Sequence, residues 1–97
     1  FENATRFTLD IAAVPVVHQR SMYPICVDVS HPAGQTALVG DLAKAAIAAG
    51  ADALMIEVHP DPKTAKSDAS QQLTIPQFEE LLDELRQVAA AVGKKVV

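Results

Sequence analysis

The chain has 97 residues, 49% of them apolar and 21% charged, and a net charge of −4 with a single cysteine. An acidic balance without a basic run argues against nucleic acid and anionic membrane surfaces as partners, and no apolar stretch approaches the ~20 residues of a membrane-spanning helix. One cysteine excludes an internal disulfide and fits a reducing compartment, nothing resembles a signal peptide, and a cytoplasmic location is expected.

The first ten residues are polar and irregular, and Phe1 is not an initiator Met, so a processed product or a piece of something longer is expected. Asp10 is placed to N-cap a helix over residues 11–20, with Pro15 tolerable near its first turn. Pro24 opens an apolar run over residues 25–29 that reads as a β-strand. Residues 31–35 form a loop, and Gln35 or Thr36 begins a second helix with Leu38, Val39, Leu42, Ala46 and Ile47 at helical spacing. Gly50 supplies its C-terminal stop. A second apolar run over residues 53–58 reads as a strand, followed by Pro60-Asp61-Pro62 and a polar loop to Leu73. The last helix is the best signalled: Thr74 and Gln77 form a capping box, and Pro76 is allowed in a first turn. Phe78, Leu81, Leu82, Leu85, Val88, Ala89 and Val92 make one apolar stripe, and Gly93 ends it before Lys94 and Lys95 at the negative end of the helix dipole.

Strand, helix and strand in that order predict a β-α-β unit with parallel strands. His31 follows the first strand and Glu57 lies near the end of the second, so both emerge at the carboxyl end of the sheet, where α/β folds place their chemistry. Asp68 lies in the loop leaving that end. One imidazole and two carboxylates suit a divalent transition metal. Taken singly, each has a plainer reading: His31 a loop histidine with a structural hydrogen bond, Glu57 a strand-end charge paired with a lysine, Asp68 a helix cap. Asp28 shares the parity of the inner sheet face and is a candidate substrate-binding residue, orienting a substrate hydroxyl or His31 itself. His59 is expected to fix the His-Pro-Asp-Pro loop, His18 to lie on the surface of its helix, and Cys26 to be a small core residue.

Two strands cannot make a stable sheet by themselves. Ile25, Val27 and Val29 with Leu54, Ile56 and Val58 form one apolar face, while Cys26, Asp28 and Ser30 with Ala53, Met55 and Glu57 form a smaller, more polar one. That parity suits a parallel barrel, with helices outside and the active site within. Two βα units and a leading helix amount to about a quarter or a third of an eight-unit barrel. Residues 1–97 are therefore expected to be a C-terminal fragment of one (β/α)8 TIM-barrel catalytic domain. Its uncovered faces need partners, either the rest of the barrel or another copy, and a homo-oligomer is expected.

Thr5-Arg6, Thr8-Leu9-Asp10-Ile11, Ala13-Val14-Pro15, Asp28-Val29-Ser30-His31, Ala43-Lys44-Ala45-Ala46, Gly50-Ala51-Asp52, Glu57-Val58-His59-Pro60-Asp61-Pro62 and Ser67-Asp68…Gln71…Leu73 occur in order along the whole chain. Together they resemble the C-terminal part of 3-deoxy-D-arabino-heptulosonate 7-phosphate (DAHP) synthases of the short microbial branch. The resemblance implies a metal-dependent, aldol-type condensation of phosphoenolpyruvate with erythrose 4-phosphate, the first step of the shikimate pathway to aromatic amino acids. It implies His31, Glu57 and Asp68 as ligands of a divalent ion of the Mn, Fe, Zn or Co type. The family's cysteine ligand, catalytic lysine and most phosphate-binding residues belong upstream, so no catalytic residue is assigned here and the fragment alone is expected to be inactive. Cys26 does not match the ligand cysteine. Gly34-Gln35-Thr36 lacks the basic residue usual after the family's Ser-His, and Ala69 stands where relatives often have Gly. The sister 3-deoxy-D-manno-octulosonate 8-phosphate synthases share much of the pattern and are the alternative reading, with an inactive assembly piece as another. Ser70-Gln71-Gln72-Leu73 is more similar to the heptulosonate branch.

Overall fold

The computed structural model describes residues 8–65 and 70–97. Thr5, Arg6, Ser67, Asp68 and Ala69, and with them the expected third metal ligand, lie outside the described residues. In chain order the elements are α1 (Ala13–Arg20), β1 (Cys26–Asp28), α2 (Ser30–Ala33), α3 (Thr36–Ala49), β2 (Ala53–Met55) and α4 (Ile75–Ala91), with a 3₁₀ turn at Pro62–Thr64. β1 and β2 are parallel, in the register Cys26↔Ala53, Val27↔Leu54, Asp28↔Met55. The expected β-α-β unit is present, with α3 in the crossover.

The local sequence explains most of these boundaries. Thr74 Oγ1 accepts from the Gln77 N–H at 3.2 Å and the Gln77 side chain accepts from the Thr74 N–H at 2.8 Å, closing the predicted box at the start of α4. At its other end the Gly93 N–H reaches Ala90 C=O at 3.2 Å and the Lys94 N–H reaches Ala89 C=O at 2.7 Å, a Schellman closure. α3 ends in the same way at Gly50, whose φ of +108° a side chain would strain. A Cβ there would also sit 3.5 Å from His18 Nδ1.

Both strands are shorter than the apolar runs over residues 25–29 and 53–58 that predict them, and two helix starts also differ from expectation. α1 begins at Ala13 with no side-chain cap; Asp10 contributes only its carbonyl, which accepts from the Ala13 N–H at 3.2 Å. The predicted loop after β1 opens instead with the helical turn α2. Asp28 Oδ1 accepts from the backbone N–H of both Ser30 and His31, at 3.0 and 3.1 Å, and so satisfies amide groups that a helical start leaves unpaired. Pro32 fits because a first turn needs no donor from it.

The core lies between one sheet face and the helices. Val27 and Val29 pack with Val14 of α1, Val39, Ala43, Ala46 and Ile47 of α3, and Leu81, Leu85 and Ala89 of α4. Lys44 Nζ lies 3.0 Å from Glu84 and links α3 to α4 across the solvent edge of their contact. The strands alternate as predicted: Val27 is buried, while Cys26, Ala53 and Met55 are exposed on the opposite face. Cys26 is thus not a core residue, because no described element covers that face. A groove of about 440 Å³ runs along β2 and α4, lined by Leu54, Ile56, Leu82, Leu85, Val96 and Val97 among others. No described helix is long and apolar enough to cross a membrane.

The amino end of the sheet is tied by one carboxylate. Asp52 Oδ2 accepts from the Ile25 N–H at 2.9 Å and lies 2.7 Å from His18 Nε2, and Lys94 Nζ is 3.8 Å from Oδ1. The Ile25 amide, with His18 beside it, holds the Asp52 carboxyl below its ordinary value. His18, read as a surface residue, is exposed but docks α1 onto this corner.

Candidate functional site

β1 and β2 deliver His31 and Glu57 to the same end of the sheet, and the two side chains meet there. His31 Nε2 lies 2.8 Å from Glu57 Oε1. A ring nitrogen and a carboxylate oxygen at that distance share a cation, either a proton or a metal ion, since their lone pairs otherwise repel. The second ring nitrogen, Nδ1, lies 2.6 Å from Asp28 Oδ2. Asp28 therefore serves two purposes with one carboxylate: Oδ1 caps α2 and Oδ2 holds the rotation of the imidazole. Of the two roles open to Asp28 from sequence, the contact present is the one with His31.

Glu57 is held from three sides. Its N–H donates to Ser30 Oγ, at the start of α2, at 2.8 Å, and Ser30 is fully buried. Its C=O accepts from the Leu73 N–H at 3.0 Å, beside an isolated parallel bridge between Val58 and Leu73. Its Oε2 accepts from Gln72 Nε2 at 3.1 Å. His59 supports its own loop, as expected, accepting from the Asp61 N–H at 2.9 Å.

The donor set fits a divalent cation. Two donors bound to one ion at about 2.0–2.2 Å lie roughly 3 Å apart, so His31 and Glu57 need little movement to share one. An imidazole whose far nitrogen is held by a carboxylate is the usual arrangement of a metal-binding histidine. Among the described residues no group of three His, Cys, Asp or Glu side chains is arranged to hold an ion. The structure brings together His31, Glu57 and Asp28, while Asp68 lies outside the described residues.

Sequence reasoning missed Ser30, Gln72 and the His18–Asp52 pair. Ser30 carried a local signal, since it adjoins His31 on the strand end. Gln72 carried none, because its neighbour is set by a backbone pairing across a loop.

The chain is similar to two curated proteins and to a solved structure over most of its length. A phospho-2-dehydro-3-deoxyheptonate aldolase of Thermotoga maritima is 50% identical over 96 residues, covering 99% of this chain and 28% of that protein. The truncated form of 3-deoxy-D-arabino-heptulosonate 7-phosphate synthase from Thermotoga maritima superposes with a TM-score of 0.95 at 49% identity, over 100% of this chain and 37% of that one. A 2-dehydro-3-deoxyphosphooctonate aldolase of Protochlamydia amoebophila is 32% identical over 97 residues, covering 89% of this chain and 35% of that protein. The chain thus spans about a third of the length of these relatives. The sequence profile of the DAHP synthetase I family matches residues 1–94, and the chain belongs to that family.

Proposed function

We propose that the whole protein condenses phosphoenolpyruvate with erythrose 4-phosphate to DAHP, and that this chain is the C-terminal part of its (β/α)8 barrel. The observation that carries the reading is the meeting of His31 and Glu57 at 2.8 Å, with Asp28 behind the imidazole, in a member of this family. His31, Glu57 and Asp68 hold a divalent ion in this reading, with a cysteine from the remaining two thirds. When bound, such an ion supplies Lewis-acid polarisation of a substrate oxygen. The chain's own residues do the positioning. Asp28 keeps the proton on His31 Nδ1, so that Nε2 presents its lone pair. Glu57 brings negative charge to a part-buried point where an unpaired carboxylate is unfavourable, and Ser30 fixes the backbone beneath it. The acidic chain contributes no basic cluster for two phosphorylated substrates, so the phosphate-binding groups and the catalytic lysine come from the rest of the barrel.

The octulosonate relative supports a second reading, in which arabinose 5-phosphate is the acceptor. Loss of phosphoenolpyruvate in the full-length protein discriminates them. Erythrose 4-phosphate is expected to be consumed far faster, and the reverse preference overturns the assignment. The isolated 97-residue chain is expected to give no turnover with either.

A further inference from the structure

Gln72 is 9% exposed, and its amide faces the carboxylate that the proposed function assigns to metal binding. Glu57 divides its two oxygens between different partners: Oε2 accepts from Gln72 Nε2 at 3.1 Å, and Oε1 lies 2.8 Å from His31 Nε2. The terminal torsion of a glutamate is broad and nearly two-fold, so an untethered carboxylate samples many orientations. A donor on one oxygen removes that freedom. A neutral amide does so without cancelling the charge, as a lysine or arginine in the same place would. Backbone pairing sets which residue arrives there. The Leu73 N–H donates to Glu57 C=O at 3.0 Å and the His59 N–H donates to Leu73 C=O at 2.9 Å, which seats Gln72 beside Glu57.

We infer that Gln72 is a positioning residue for Glu57: it holds Oε2 so that Oε1 is aimed at the point His31 Nε2 also faces, and thereby strengthens binding of a divalent cation there. The inference rests on the metal-site reading of His31 and Glu57.

The test uses the full-length protein, metal-free, with Mn²⁺ as the probe in competition against a chromophoric chelator. Gln72→Met keeps the length of the side chain and removes the donor; Gln72→Asn keeps an amide that falls one methylene short. Both are expected to weaken Mn²⁺ binding about 10- to 100-fold, with the melting temperature of the metal-free protein close to that of the parent. The visible spectrum of the Co²⁺-loaded protein is expected to shift in both variants, a change that a purely structural role does not produce. Glu57→Gln serves as the reference. If Glu57→Gln binds Mn²⁺ as the parent does, the metal-site reading is wrong. If Glu57→Gln loses binding while either folded Gln72 variant binds as tightly as the parent, the role of Gln72 is overturned and the site stands.

Discussion

His31 has a carboxylate on each side, and the two are not equivalent. Glu57 Oε1 faces Nε2, whereas Asp28 sets which way the ring faces and also caps the turn that carries it. Asp28→Asn keeps an oxygen for the Ser30 and His31 amides but presents an NH₂ group where Oδ2 accepted. It is expected to leave the fold of the full-length protein in place and to reduce divalent-ion affinity about 10- to 100-fold, measured by chelator competition. Asp52 makes a different prediction. Its folded-state pKa lies below the ordinary carboxylate value of 3.8. The contribution to stability is thus fully present above that value and is lost as pH falls through the lower, folded-state one. Thermal melts of the full-length protein and of Asp52→Asn should differ at neutral pH and draw together only as pH falls progressively below about 4. His31 and Glu57 were legible because each follows an apolar run that a strand requires. Gln72 and the His18–Asp52 pair were not, because their partners are distant in sequence and brought near only by folding.

At the level of elements, legibility followed how local the signal was. The capping box of α4 lies within four residues, and it formed as read. Thr74→Ala is expected to destabilise the protein by about 1 kcal/mol, and a chemical denaturation midpoint reports it. Leu85, 2% exposed on the buried stripe of the same helix, is expected to cost about 2–5 kcal/mol on replacement by Ala. The turn α2 differs from the expected loop although its signal is equally local: an Asp two and three residues ahead of amides at a helical start caps a turn. The pattern His31-Pro32-Ala33-Gly34 outweighed it because Pro and Gly usually mark loops. The strands were the least definite. Their apolar runs continue beyond the three-residue ladders, since pairing length depends on the neighbour and not on the strand's own composition.

As a whole, the chain exposes more surface than its mass predicts. It presents 6429 Å², where a folded monomer of 10.3 kDa exposes roughly 5,400 Å². Met55 on the uncovered sheet face is 51% exposed, and Met22, Tyr23, Ile75 and Val97 are also open. Alternation along both strands had already indicated such a face, since the apolar parity had helices to cover it and the other parity had none. The isolated chain is therefore expected to associate or to lack a cooperative transition. Sedimentation velocity and circular dichroism over a dilution series check this. A concentration-independent melt from a monodisperse monomer would show the chain to be a domain in its own right.

The corner held by Asp52 lies at the opposite end of the sheet from His31 and Glu57. Holding the scaffold and shaping the reactive pole are thus assigned to different ends of the same two strands. Substitutions at the Asp52 corner are therefore expected to change thermal tolerance while the pole is left unaltered. The same separation offers an engineer a place to add a crosslink or a tag without disturbing the groups that act.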